Sequence, residues 1–307
     1  MIKSDRILVT GGSGLIGGAI VRRLKAEGYQ NVIAPTRTEI DLADPVAVRW
    51  MFSVYKLDYV FHCGARVGGI KDNAEHPVDF LVQNLRIQDN VITNAAAYGV
   101  KKLLFLASSC CYPDNSPQPL KESMLFSGPI HPDTEPYAIA KLAGVKLCQY
   151  LWKERGACFV SALPCNVFGP GDNCNPLTSH VVPGLISRMD KARTAGDASF
   201  SVWGDGTQRR ELIFVDDLVD ALFLIMEKYH QPEPINAGSG NEITIRDLAF
   251  AVAKAVSFPG EILFDTSKPT GVHHKLMDNH KLNQLGFTAK TDLATALRWT
   301  CQEDFWL

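Results

Sequence analysis

Little in this sequence points toward a membrane, a nucleic acid or an oxidising compartment. No stretch of about 18 apolar residues occurs, so no membrane-spanning helix is expected. Acidic and basic residues are mixed along the chain at a net charge of -2. There is no basic stripe to neutralise nucleic-acid phosphates and no polybasic tail for anionic lipid. The opening MIKSDRILVTGGSG runs almost directly into a strand, without an apolar signal region or a small-residue cleavage site, so no secretory signal is expected. Cys63, Cys110, Cys111, Cys148, Cys158, Cys165, Cys174 and Cys301 form no CxxC pair and none stands at zinc-finger spacing from a histidine. Adjacent residues such as Cys110 and Cys111 rarely form a structural disulfide. The expectation is a reduced, cytoplasmic protein without a metal site, its thiols mostly small core residues.

What is present is an ordinary globular composition, 46% hydrophobic and 21% charged over 307 residues. That length suits one large α/β domain or two unequal lobes. The first half alternates short apolar runs with helical patterns: RILVTG, NVIAPTR, DYVFHCGA and KKLLFLASS, the last following a long candidate helix near 78–98. Short apolar runs separated by helices predict a doubly wound parallel sheet. FVSALPCNVFGP continues the series, after which NPLTSHVVPGLISRM reads as loop and helix, SFSVWGDGTQRR as hairpin-like strands and ELIFVDDLVDALFLIMEKY as helix. The pattern divides into a dinucleotide-binding domain over 1–165 plus part of 210–240, and a smaller interleaved lobe over 166–209 and 241–307. No repeat, low-complexity tract or linker separates them.

Gly11, Gly12, Ser13, Gly14, Leu15, Ile16 and Gly17 form GGxGxxG between the first strand and an amphipathic helix. Glycines let the backbone approach a pyrophosphate, and the helix N-terminus offers free N–H donors and a positive dipole, the Rossmann-type arrangement. The second apolar run ends Pro35-Thr36-Arg37-Thr38. NAD-preferring sites place Asp or Glu here for the ribose 2′-hydroxyl; an arginine and two hydroxyls suit a 2′-phosphate, so NADP(H) is expected. Glu39 or Asp41 could instead be the ribose acid, with Asp41 and Leu42 near the adenine.

Tyr137 and Lys141 form YxxxK, a spacing that places both on one helix face. A neighbouring ammonium is expected to lower the phenol's pKa and make it a proton donor or acceptor near neutrality. Ser108, at the end of KKLLFLASS, could hold the same substrate oxygen.

GGSGLIGGAI, SSCCYP, PYAIAK, NVFGPGDN, SHVVPGL and VWGDGTQRRELIFVDDL follow one another over nearly the whole chain. In this order they resemble the extended short-chain dehydrogenase/reductases, within them the epimerase/reductases of nucleotide sugars. The resemblance implies a homodimer, paired through helices near 82–98 and 137–155, that uses NADPH for 3,5-epimerisation and 4-reduction of GDP-4-keto-6-deoxy-D-mannose. It matches Ser108, Tyr137 and Lys141 to the hydride-transfer triad, and Cys110 and His180 to the epimerisation acid/base pair. Gly11–Gly17, Arg37, Asn166, Lys141 and His180 match cofactor contacts; Arg188, Trp203, Arg210 and Asp278 match the GDP-sugar site. Cys and His suit proton exchange beside a ketone because both titrate within reach of neutral pH.

Each residue also has a plainer reading by type: Cys110 as a small buried residue, His180 as a capping or surface histidine, Trp203 as core, Arg188 and Arg210 as surface. Cys111 is expected to pack, and His62, His76, His131, His230, His273, His274 and His280 have no evident partner. Thr270 stands where the family commonly has an acid, which leaves the exact sugar nucleotide open. A reductase or epimerase/reductase for another GDP-4-keto-deoxy sugar, of the colitose or 6-deoxy-heptose kind, remains an alternative, as does an NADP-binding sensor without catalysis. Replacing Arg37 by alanine is expected to weaken NADPH more than NADH in a binding titration; equal loss for both cofactors would overturn the 2′-phosphate assignment.

Overall fold

The first strand, β1 (Arg6–Thr10), ends where Gly11 turns the chain at a φ of +68°, a conformation costly for a residue with a Cβ. In chain order there follow α1 (Leu15–Ala26), β2 (Asn31–Ile33), α2 (Pro45–Tyr55), β3 (Tyr59–His62), α3 (Ile70–Glu75), α4 (Pro77–Ala97) and β4 (Lys102–Leu106). Next come α5 (Glu135–Arg155), β5 (Phe159–Pro164), β6 (Asn166–Phe168), α6 (Val181–Ala195), β7 (Ser199–Trp203), β8 (Arg209–Phe214) and α7 (Val215–Lys228). The chain closes with β9 (Ile235–Ala237), β10 (Glu242–Thr244), α8 (Ile245–Ala255), β11 (Glu261–Asp265), β12 (His274–Lys275), α9 (His280–Gln284) and α10 (Leu293–Thr300). This computed structural model describes residues 1–175, 178–267 and 272–302.

Six strands form the main sheet in the order β2-β1-β3-β4-β5-β9, and every pair is parallel. All five residues of β4 and all six of β5 are buried, as expected for strands covered by helices on both faces. From β1 the chain steps to β2 on one side, then crosses to β3 on the other. The carboxyl ends of β1 and β3 therefore flank the crevice where doubly wound sheets bind ligands. Above this end lie a four-stranded unit, with β8 at its centre between β10 and β12 and paired also to β6, and the parallel pair β7–β11.

Three expectations from the sequence are corrected. β2 stops at Ile33 instead of running to residue 37, because Pro35 has no N–H for the ladder. ELIF is strand, not helix: β8 pairs parallel with β6, and the helix begins only at Val215. β7 and β8 do not form a hairpin, since β7 takes β11 as its partner and turns away through Gly204 and Gly206, both at positive φ.

The seating of α5 matters most for the chemistry. A Cβ on Gly144 would stand 2.5 Å from the ring of Phe105, so the glycine lets α5 come down on β4. Gly144 lies three residues after Lys141, one turn along the same face. Gln88 of α4 donates to the Ala140 carbonyl at 2.6 Å and holds the two long helices together beneath Tyr137 and Lys141.

A Cβ on Gly17 would lie 2.1 Å from the carbonyl oxygen of Gly11, a backbone atom without freedom to yield. Gly17→Ala is expected to destabilise the fold by about 1–3 kcal/mol, the usual range for forced overpacking. Urea denaturation measures this; an unchanged midpoint would show that the turn can relax.

Candidate active site

The glycine turn places α1 with its N-terminus open. Gly14 is the N-cap, no side chain caps the helix, and its first turn carries no acidic residue, so the positive end of the dipole is unopposed. Opposite, a Cβ on Gly11 would meet Gly64 at 3.0 Å, which shows how closely the loops after β1 and β3 approach. His62, without an evident partner in the sequence, holds them there. Its Nδ1 lies 2.8 Å from Thr10 Oγ1, and that hydroxyl accepts the Gly64 N–H at 2.9 Å. Burial, and then the Lys141 charge, push its pKa down to about 3, so the ring stays neutral.

Beyond β2, Glu39 accepts the N–H and hydroxyl of Thr36 at 2.8 and 2.9 Å, and Asp41 accepts the Ala43 N–H at 3.0 Å. Both candidate ribose acids are thus turned onto their own loop, while Arg37 is exposed. Leu42 lines the crevice beside Gly64, and Asn166 opens β6 at the edge of the main sheet.

Beyond β4 the chain makes a 3-10 turn, Ser109–Cys111, capped by Ser108, whose Oγ accepts the Cys110 N–H at 3.1 Å. The serine's own proton stays free to be donated. The turn packs against α5, and Cys110 is half-buried within electrostatic range of the Tyr137 phenol. Cys111 is fully buried, its Sγ 3.8 Å from the Ala138 carbonyl, and burial raises its thiol to about 12.

Lys141, only 2% exposed, donates to the Leu106 carbonyl at 2.8 Å and lies 5.7 Å from the Tyr137 ring centroid. Burial lowers its pKa to about 8. The expected depression of Tyr137 is not found: burial first, then Cys110 and Cys111, push the phenol above its ordinary value. Tyr137 is therefore held protonated, as a proton donor requires.

His180 is the N-cap of α6, its ring making no capping bond and exposed at the rim of the site, where dehydration by the surrounding protein lowers its pKa. The segment before it is pinned to the loop after β3, because Gly69 donates to the Thr178 carbonyl at 3.0 Å. α3 in turn packs on the 3-10 turn Pro132–Thr134 that leads into Tyr137. Segments far apart in sequence so converge over the carboxyl ends of β3 and β4.

Arg188, on α6, stacks 5.1 Å over Phe200 and donates to Gly184; Arg210, on β8, donates to the Arg209 carbonyl. Both are half-buried, and burial alone lowers their pKa values: no carboxylate among the described residues offsets it. Trp203 ends β7 with 56% of its surface exposed. Asp278 accepts the His280 N–H at 2.9 Å through one carboxylate oxygen. Thr270 lies outside the described residues.

Three residues escaped the sequence reading. Lys275 stands opposite Arg210 in the β8–β12 register and within electrostatic range of Cys111 and Cys165. Asp172, inside the quoted NVFGPGDN, has a buried Oδ2 with no partner among the described residues, and burial raises its pKa to about 6. Asn236 is wholly buried and joins Tyr112, Leu120 and Asp278. Only Asp172 carried a local signal, its place in that motif.

A parallel sheet with a glycine-rich turn at its switch point and a Ser/Tyr/Lys set beside it is the arrangement of a nucleotide-dependent epimerase or reductase. Residues 7–238 match the NAD dependent epimerase/dehydratase family, and the chain belongs to it. It is similar to GDP-L-fucose synthase 1 of Arabidopsis thaliana, 45% identical over 97% of this chain and 92% of that protein. It is also similar to GDP-L-fucose synthase of Escherichia coli (strain K12), 40% identical over 98% and 97% of the two chains. Among solved structures, a GDP-L-fucose synthetase from Naegleria fowleri bound to NADP superposes with a TM-score of 0.92 at 33% identity, covering 98% of this chain and 93% of that one.

Because the folded pKa of Asp172 exceeds its unfolded value, its favourable contribution is complete only below the unfolded value and is lost as pH rises through about 6. Asp172→Asn is expected to raise stability at pH 8 by up to about 3 kcal/mol, the equivalent of roughly two pKa units, with the gain vanishing toward pH 4. Urea denaturation at the two pH values tests this; an equal difference at both would exclude a buried, ionised Asp172.

Proposed function

We propose that the chain catalyses NADPH-dependent 3,5-epimerisation and 4-reduction of GDP-4-keto-6-deoxy-D-mannose to GDP-L-fucose. The observation that carries this reading is the thiol of Cys110 on the 3-10 turn that Ser108 caps and that packs on α5, the helix of Tyr137 and Lys141. A reductase needs the tyrosine and serine; the added thiol, with His180 at the rim, supplies acid/base groups that reduction alone does not require.

The 4-ketone acidifies the hydrogens at C3 and C5. Cys110 and His180 exchange protons at these carbons, and the lowered pKa of His180 favours its neutral, proton-accepting form near neutrality. Ser108 and Tyr137 donate hydrogen bonds to the keto oxygen and stabilise the enolate between the exchanges. Epimerisation precedes reduction, because removing the ketone removes the acidity. NADPH, when bound, supplies the hydride for C4. Tyr137, held protonated, gives its proton to the C4 oxygen. Lys141, with one bond to Leu106 and further N–H donors free, holds the nicotinamide ribose.

The glycine turn, Asn166 and the open end of α1 suit the pyrophosphate and ribose, and exposed Arg37 suits a 2′-phosphate. Arg188 and Arg210, whose burial no carboxylate among the described residues offsets, suit the GDP diphosphate together with Lys275 opposite Arg210, and Trp203 offers its exposed indole to the base. Asp278 retains a carboxylate oxygen for the sugar. In this reading the main sheet carries the cofactor and the smaller lobe the GDP-sugar. A groove of about 390 Å³ between α4 and α5, lined by Leu85, Arg86, Gln88, Asp89, Ala143 and Leu147, is consistent with pairing of two copies through these helices. Eight free cysteines suit a reducing cytoplasm, and among the described residues no helix is long and apolar enough to cross a membrane.

The test is NADPH oxidation in the presence of GDP-4-keto-6-deoxy-D-mannose. In Cys110→Ser, turnover should fall by roughly 10²–10⁴-fold, the scale of a general acid/base contribution, and solvent deuterium should fail to enter C3 and C5 while cofactor binding persists. Normal deuterium entry at both carbons would refute the role of the thiol, and no oxidation by the unaltered protein would refute the activity.

A further inference from the structure

The main sheet has a second cavity at its other end, away from the candidate active site. The amino ends of β3, β4 and β5 and the carboxyl end of α7 enclose about 300 Å³, lined among others by Tyr59, Lys102, Cys158, Met226, His230 and Met1. Two methionines, a cysteine and a histidine line this one small space, beside Lys101, Lys102 and Glu227. Among the described residues no three His, Cys, Asp or Glu side chains cluster, so the set resembles no zinc site of ordinary ligands.

We propose that Cys158, His230 and Met226 bind one soft monovalent cation of the Cu(I) class, with Met1 as an additional thioether. Cys158 Sγ lies 3.5 Å from His230 Nδ1. Two donors about 2.0 and 2.3 Å from a shared ion, at a tetrahedral angle, stand about that far apart. The imidazole is already oriented for coordination. Its Nε2 lies 3.1 Å from the Glu227 carbonyl, an acceptor only, so Nε2 carries the proton and Nδ1 presents its lone pair to the thiol. Thiolate and thioether donors select Cu(I) over harder ions.

The surrounding charge permits a cation here despite two nearby lysines. Lys102 donates all three of its N–H bonds, to the carbonyls of Ile225, Met226 and Tyr229, and so is committed to the negative end of the α7 dipole. Lys101 is turned toward Asp5 and Asp58. Binding releases the Cys158 proton to solvent, leaving thiolate and Cu(I) neutral as a pair. His230 is exposed and Cys158 half-buried, which leaves the ion a way in, while Met226, 2% exposed, closes the inner wall.

Cu(I) itself is the probe, titrated anaerobically into the full chain against a chromophoric Cu(I) chelator. The unaltered protein should take up one equivalent more than Cys158→Ser, and His230→Leu and Met226→Leu should each weaken that equivalent at least tenfold. The other seven of the eight cysteines give the same background in all four proteins. Equal uptake by the unaltered protein and Cys158→Ser, or undiminished affinity in His230→Leu, would show that the thiol and imidazole form only a hydrogen bond. His230 is exposed, so its replacement keeps the test valid even if Cys158→Ser folds poorly.

Discussion

The wholly buried amide of Asn236 holds the smaller lobe in register with the main sheet. Its side chain accepts the Tyr112 hydroxyl at 2.6 Å and donates to the carbonyls of Leu120 and Asp278 at 2.8 and 2.9 Å, while its N–H reaches Glu122 at 3.0 Å. Tyr112 lies in SSCCYP, the segment that carries Ser108 and Cys110. Asp278 follows the strand that carries Lys275. One satisfied amide thus ties the turn that carries Ser108 and Cys110 to the lobe that carries Arg210 and Lys275. Losing any partner would leave a buried polar group unpaired, at a cost of roughly 1–3 kcal/mol.

Glu211 does the same within the lobe. Its buried carboxylate accepts from Gly240, Met277 and Asn279, joining β8 to the segments around β10 and α9. Burial raises its pKa and these three bonds oppose the rise. For its neighbour Arg210, no carboxylate among the described residues offsets the cost of burial. Acids and bases within a few residues of one another therefore have different work, according to whether the fold supplies a partner.

Dehydration governs the chemistry throughout the site. It raises Tyr137 and Asp172 and lowers Lys141, Arg188, Arg210 and His180, in each case disfavouring the charged form. A bound anion beside the arginines would offset that cost. The protonated phenol is suited to the reductive direction, where an alkoxide oxygen must be neutralised. YxxxK spacing brings only the ammonium near the ring; the larger effect, burial of the phenol, comes from packing that the spacing does not record.

Much of the arrangement was legible in the residues alone. The glycine turn, the strand and helix alternation of the first half and the YxxxK spacing depend on neighbours within a few positions, where periodicity and backbone sterics decide. Cys111, expected to pack inward, is fully buried. The strand character of ELIF was not legible, because a β ladder is made by a partner elsewhere in the chain, here β6, and the local apolar pattern also fits a helix. The partnership of His62 with Thr10, the placement of Lys275 beside Arg210 and the meeting of Cys158 with His230 span separations that no motif records. Local sequence determined which segments could turn, extend or coil. Tertiary structure alone decided which side chains lost their water and which charges found partners, because desolvation depends on everything packed around a group.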